Sequence, residues 1–185
     1  KLHLSLPTHA KSTKLISMRK LTASLCLTLA VLLGSVGVSW FAGVPQFYLG
    51  EMYYYTGGYW LPNNYKNAMK WWRLAAEQEH AVAQYHLGAM YDAGLAVPKN
   101  DKTAVKWYTL AAEQGNAAAQ YRLGRMMYAS GRGVEPDYKT AVKWYRLAAE
   151  QGYASAQANL GLMYEFGKGV EQDYKTAVKW YRLAA

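Results

Sequence analysis

Cysteine is nearly missing from this chain of 185 residues: Cys26 stands alone, which excludes a disulfide framework and any multi-cysteine metal site. Histidine is scarce too, with His80 and His86 the only two beyond residue 43. They lie six apart and do not share a helix face, so they make a poor metal pair; both are expected to face solvent, and no metal or cofactor is expected. Charged residues are sparse at 18%, yet 52% of the chain is apolar, which excludes an intrinsically disordered sequence. Glycine (16 residues) follows no three-residue period, so collagen is excluded. Catalytic signatures are missing as well. There is no His-Glu-x-x-His, no Gly-x-Ser-x-Gly and no Gly-x-x-x-x-Gly-Lys-Ser/Thr, and the chain reads as non-catalytic. What abounds is aromatic: 7 Trp and 17 Tyr.

The net charge of +9 is unevenly placed. Residues 1–39 hold five basic groups and no acid, leaving 16 Lys/Arg against 12 Asp/Glu in the rest. A nucleic-acid-binding protein concentrates its positive charge on the folded part, so a nucleic-acid partner is not expected.

Arg19-Lys20 precede an apolar stretch, Leu21 to Leu33, followed by small residues from Gly34 to Ser39. A basic segment, a short apolar run and a small-residue tail match a secretory signal peptide over residues 18–42. Cleavage is expected between Ser39 and Gly43, and residues 1–17 read as upstream or disordered sequence. The alternative is a retained membrane anchor over residues 21–44, although about 20 apolar residues are needed to span. Either way the remainder is expected to be exported, to the periplasm or beyond.

Residues 43–185 are repetitive. Leu-Gly recurs at Leu49-Gly50, Leu87-Gly88, Leu123-Gly124 and Leu160-Gly161, and Lys-Trp at Lys70-Trp71, Lys106-Trp107, Lys143-Trp144 and Lys179-Trp180. The Trp spacings are 36, 37 and 36. This defines four copies, 44–80, 81–116, 117–153 and 154–185, the last truncated, so that further sequence is expected after Ala185. Each copy reads as two helices. In Tyr138–Glu150 the polar residues Lys139, Lys143, Arg146 and Glu150 form one stripe and the remaining arc is apolar. Asp101, Asp137 and Asp173 are placed to cap second helices. Gly115 and Gly152 sit where a left-handed residue ends them. Such a hairpin cannot bury its apolar faces alone but can when stacked, which predicts an all-α solenoid.

The combination Ala81-Val82-Ala83-Gln84-Tyr85-His86-Leu87-Gly88-Ala89-Met90-Tyr91, then Gly131-Arg132-Gly133-Val134, then Ala141-Val142-Lys143-Trp144-Tyr145 with Leu147-Ala148-Ala149-Glu150-Gln151-Gly152, resembles the Sel1-like repeat. The resemblance spans Val44–Ala185. It implies a right-handed superhelix of four helix-turn-helix units, here preceded by the apolar N-terminal segment as a helix. It also implies a scaffold for protein–protein contacts with no fixed ligand.

Three finer expectations follow. Copy three carries one extra residue around Arg125-Met126-Met127, expected to be absorbed as a π-bulge. Glu77, Glu113 and Glu150 end the second helices, where the macrodipole opposes a carboxylate; each is expected to meet the N-terminus of the following helix. The positions that differ most between copies flank Leu-Gly: Tyr48, His86, Arg122 and Asn159 before it, Glu51 and Arg125 among those after it. Since first helices line the concave side in solenoids of this type, these six residues are the candidate surface for a protein or peptide partner. The alternative function is a cell-envelope enzyme or a glycan- or peptidoglycan-binding module, the latter motivated by Tyr53-Tyr54-Tyr55 and Tyr59-Trp60. The cysteine-rich branch linked to envelope chemistry carries paired cysteines, which this chain lacks.

Overall fold

The computed structural model describes residues 44–55, 64–129 and 136–185. The N-terminal segment, the Gly57–Asn63 turn with Tyr59 and Trp60, and the Gly131–Val134 turn lie outside them. Among the described residues there are eight α-helices and no strand: α1 (Val44–Tyr55), α2 (Tyr65–Glu77), α3 (Ala81–Ala93), α4 (Asp101–Glu113), α5 (Ala117–Tyr128), α6 (Tyr138–Glu150), α7 (Ala154–Phe166) and α8 (Tyr174–Ala184). They pair as four antiparallel hairpins, and each second helix also packs on the first helix of the next hairpin. This is the stacked solenoid the periodicity predicts.

The hairpins close tightly because the glycine of each Leu-Gly pair lies directly under an aromatic ring of the partner helix. Gly50 faces Trp72, Gly88 faces Tyr108, Gly124 faces Tyr145 and Gly161 faces Tyr181. A Cβ on Gly88, Gly124 or Gly161 would come within 2.6 Å of ring carbons. Trp72, Tyr108 and Tyr145 are correspondingly buried, at 0, 0 and 2% exposure. These rings are the residues immediately after the repeated Trp. The tryptophans themselves do another job. Trp107 packs against the cluster containing Trp72, Leu87 and Met90, Trp144 against that of Tyr108 and Leu123, and Trp180 against that of Tyr145 and Leu160. Each joins a hairpin to the core of the one before it. Lys70, Lys106, Lys143 and Lys179 point outward, as the diverging directions of adjacent helical residues require.

The helix ends follow local chemistry. Asp137 and Asp173 cap α6 and α8, their Oδ1 atoms accepting from the Thr140 and Thr176 amides at 3.0 and 3.1 Å. The cap of α4 is Asn100, accepting from Thr103 N at 2.9 Å; Asp101 is the first helical residue, a correction to the expected cap. Gly115 and Gly152 follow α4 and α6 with φ of 87° and 81°, the left-handed conformation that ends a helix. In copy one Glu79 takes the same conformation, with φ 60°.

Two expectations fail. The extra residue of copy three makes no π-bulge. Helix α5 is α-helical throughout and Leu123, Gly124 and Met126 keep the buried places of Leu87, Gly88 and Met90. The helix instead ends at Tyr128 with Ala129 extended, where α3 and α7 end on left-handed Gly94 and Gly167, so the insertion falls into the following connection. Met127 then occupies the place of Tyr91 and Tyr164. Those tyrosines accept hydrogen bonds from Arg73 and Arg146 at 3.2 and 2.7 Å. The arginine that would face Met127 is also replaced, by Thr109 of copy two, so the change is made on both sides.

The glutamates do not join the copies either. Glu77, Glu113 and Glu150 are solvent-exposed; the N-termini of α3 and α5 are already capped by His80 and Asn116, and that of α7, behind Tyr153, has no side-chain cap from Glu150 or any other residue. Buried glutamines do the joining. Gln84, Gln120 and Gln157, 3, 3 and 6% exposed, donate to the Ala76, Ala112 and Ala149 carbonyls of the preceding helix at 3.2, 3.1 and 3.0 Å. Gln114 and Gln151 in turn donate to Gln84 and Gln120 at 2.7 and 2.8 Å, across a whole repeat.

Gly124→Ala therefore destabilises the chain by about 1–3 kcal/mol in urea unfolding, the usual cost of forcing a methyl group into a packed interior. Glu113→Gln, measured alongside, leaves the midpoint unchanged; a neutral Gly124→Ala would remove the ring-on-glycine account.

Candidate functional site

The six candidate residues fall on α1, α3, α5 and α7, at matching registers either side of the buried Leu-Gly pairs. Neighbouring first helices reach one another through them. Between α1 and α3, Glu51 Oε1 lies 3.2 Å from His86 Nε2. Between α3 and α5, Arg122 Nη1 lies 3.9 Å from Asp92 Oδ2. Between α5 and α7, Arg125 and Asn159 line one cleft of about 280 Å3. Tyr48 stands outside these pairings, 38% exposed and edge-on to Phe47.

Neither histidine faces solvent as expected. The His86 ring lies flat on Trp72, with centroids 4.3 Å apart and planes 11° from parallel, and its side chain is 17% exposed. His80 stacks on Phe47 at 4.5 Å, while its Nδ1 accepts from the Ala83 amide at 3.2 Å, capping α3. A helical register alone does not reveal this, because the large Trp72 ring, which stands where other copies have Tyr, extends under the His86 position. Burial pushes the His86 imidazole down to about 4, with His80 acting in the same direction. The ring is therefore neutral at pH 7, with Glu51 Oε1 beside its Nε2. The tyrosine cluster proposed for glycans is likewise partly internal: Tyr54 packs on Trp72 at 5.2 Å and Tyr53 against the same core, leaving Tyr55 exposed at 63%.

The α5–α7 cleft has a definite chemistry. Arg125 is exposed, 5.9 Å from the Tyr121 ring centroid. The Asn159 side chain hydrogen-bonds the Tyr145 hydroxyl, which burial holds protonated well above its ordinary range. Lys168 donates to the Tyr128 hydroxyl at 2.8 Å and lies 4.8 Å from that ring's centroid. The hydrogen bond raises its pKa further, so it stays a cation. Leu162, 43% exposed, supplies the apolar part. Arg125 and Asn159 were among the sequence candidates. Lys168 was not, because Gly167-Lys168-Gly169 reads as a turn; only its length and freedom to fold back over Tyr128 bring it to the cleft. Among the described residues no three His, Cys, Asp or Glu side chains converge as a metal site, and no helix is long and apolar enough to cross a membrane.

The family model of the Sel1 repeat matches residues 46–80, 81–116, 117–153 and 154–185, the four hairpins described above. The chain belongs to the Sel1 repeat family. A Sel1 repeat protein from Oxalobacter formigenes is similar at 34% identity and a TM-score of 0.74, over 95% of this chain and 68% of that one. The fold is shared with Helicobacter pylori cysteine-rich protein B, at 22% identity and a TM-score of 0.51, over 69% of this chain and 90% of that one. It is shared too with an immunity protein of Pseudomonas aeruginosa, at 23% identity and a TM-score of 0.51, over 77% of this chain and 51% of that one. No curated protein matches the sequence. Sel1 repeat proteins are in general non-catalytic scaffolds for protein interaction, and the ring-on-glycine hairpins are how this one builds its solenoid.

The His86 environment sets a pH dependence. Its folded-state pKa lies below the unfolded value near 6.5, so the unfolded chain binds more protons between about 4 and 6.5. The stability tied to neutral His86 is complete above that window and is lost as pH falls through it. His86→Gln should flatten the pH 7 to pH 5 decline in the free energy of urea unfolding by about 1–2 kcal/mol; an unchanged slope would contradict the stacked, neutral imidazole.

Proposed function

We propose that this protein is an exported, non-catalytic scaffold that binds a protein or peptide through the face built by α1, α3, α5 and α7, the concave side of the solenoid. The observation that carries this reading is a division of labour within each repeat. Most of the repeated apolar positions are interior, among them Leu87, Leu123 and Leu160, the rings of Trp72, Tyr108 and Tyr145, and the clamping glutamines Gln84, Gln120 and Gln157, while the repeated lysines form a solvated stripe elsewhere. Residues that change from copy to copy, Tyr48, His86, Arg122 and Asn159, occupy one register on successive first helices, joined there by Glu51 and Arg125. A stack with fixed interior rules and a freely varied face is suited to recognising an extended partner. Export rests on the Arg19-Lys20 and Leu21–Leu33 pattern.

The test is capture from cell-envelope extracts with the tagged full chain and its Arg122→Ala/Arg125→Ala double variant. The native chain should retain at least one protein that the double variant recovers about tenfold less well, since losing charge-assisted contacts costs on the order of 1.5–3 kcal/mol each. Equal recovery of every protein would end the reading. Fusing residues 1–43 ahead of alkaline phosphatase tests export, an active fusion being expected.

A further inference from the structure

Successive junctions between first helices can be compared within one molecule. At α1–α3 the Glu51 carboxylate faces His86. At α3–α5 the Arg122 guanidinium faces Asp92. The corresponding positions at α5–α7 hold Arg125 and Asn159, and Lys168 closes the rim. Neither Arg125 nor Lys168 forms an ion pair with a carboxylate among the described residues. The nearby Glu165 accepts from the Tyr181 hydroxyl at 2.5 Å. The α3–α5 junction thus pairs opposite charges and the α1–α3 junction sets a carboxylate beside a neutral imidazole, whereas the third presents two cations on a concavity.

We infer that the α5–α7 cleft binds a carboxylate of a short peptide segment, next to an aliphatic side chain of that segment. This rests on the scaffold reading above and names the partner's chemistry. The Arg125 guanidinium offers a planar fork suited to a carboxylate, and Lys168 a point charge held in place by Tyr128. Because Tyr128 accepts from Lys168, its own O–H is available to donate to the same anion. Asn159 is oriented by Tyr145, and Leu162 gives the adjoining aliphatic group a surface on which to lose water. The volume of about 280 Å3 is at the small end of ligand pockets, which run from roughly 300 Å3 upward, and so admits a few peptide atoms rather than a folded domain. A polynucleotide fits less well. It needs a continuous basic track, and the cation at the neighbouring junction is already matched by Asp92.

Isotope-labelled full chain titrated with an acetylated, amidated Gly-Glu-Leu-Glu-Gly peptide tests this by amide chemical shifts. Three comparison ligands accompany it: the amidated Gln counterpart, that Gln peptide with a free C-terminal carboxylate, and single-stranded oligothymidylate. Saturable shifts confined to α5, α7 and the turn after α7 are expected, with the neutral amidated peptide about tenfold weaker. The free-carboxylate arm decides whether the group is a side chain or a chain end. Arg125→Ala and Lys168→Ala should each weaken binding by about fivefold or more with unchanged far-ultraviolet dichroism, Arg125→Lys retaining part of it. Equal binding of the neutral peptide, shifts centred on α1 and α3, tighter binding of the oligonucleotide, or no binding at all would overturn the assignment. The scaffold reading fails separately: if extract capture is lost with Arg122→Ala but kept with Arg125→Ala, the scaffold stands and the cleft does not.

Discussion

Two helices approach closely at each Leu-Gly pair because the glycine has only a hydrogen where a side chain would strike the partner's ring. A Cβ at Gly88, Gly124 or Gly161 would sit well inside the contact distance of Tyr108, Tyr145 or Tyr181. The rest of the architecture depends on this approach. It sets the separation within each hairpin, buries the rings of Trp72, Tyr108 and Tyr145, and leaves the preceding Trp free to turn toward the neighbouring hairpin. Trp107, Trp144 and Trp180 then complete cores built from their own first helix and the second helix of the preceding hairpin. The apolar surface is shared between copies, which is why stability in such a chain is a nearest-neighbour property.

Polar groups fix the register of that stack. A buried amide left without partners costs on the order of 1–3 kcal/mol. Gln84, Gln120 and Gln157 avoid this only when the preceding helix presents its C-terminal carbonyl at the right place. Those carbonyls also accept the backbone N–H groups of Glu79, Gly115 and Gly152, so the glutamine amide takes their second lone pair. The Gln114–Gln84 and Gln151–Gln120 bonds then tie the end of a repeat back to its own first helix. A sliding stack would break the glutamine–carbonyl bonds together. Apolar contact supplies the attraction and the glutamines supply the position.

The hairpins, their four-fold recurrence and most helix ends were legible in the sequence, because each rests on local chemistry that recurs at a fixed spacing. What was misread depended on neighbours. Asp101 looked like a cap because Asp137 and Asp173 are caps, yet it aligns one place later and Asn100 does the capping. The glutamates looked like couplers because of where they end their helices; His80 and Asn116 already cap the helices that Glu77 and Glu113 would meet, and Glu150 stays in solvent although α7 has no side-chain cap. His86 looked exposed because its own helix places it beside the variable face, while the breadth of Trp72 covers it. In copy three the insertion went into a connection rather than a helix, since shifting Leu123, Gly124 or Met126 would have emptied three core positions. Of the cleft, Arg125 and Asn159 were visible as variable positions, and Lys168 required the fold.

Of the variable positions, Arg125 is exposed, whereas Arg122 and Asn159 also touch the stack through Asp92 and Tyr145. The central claim is that each core is shared between adjacent hairpins, and amide hydrogen exchange in a Trp144→Ala variant tests it most directly. The ring belongs to α6 but packs on the cluster of α4 and α5. The account predicts faster exchange in α4 and α5 as well as in α6, since a lost aromatic side chain in a core costs about 3–5 kcal/mol. Faster exchange confined to α6, with α4 and α5 unchanged, would contradict it.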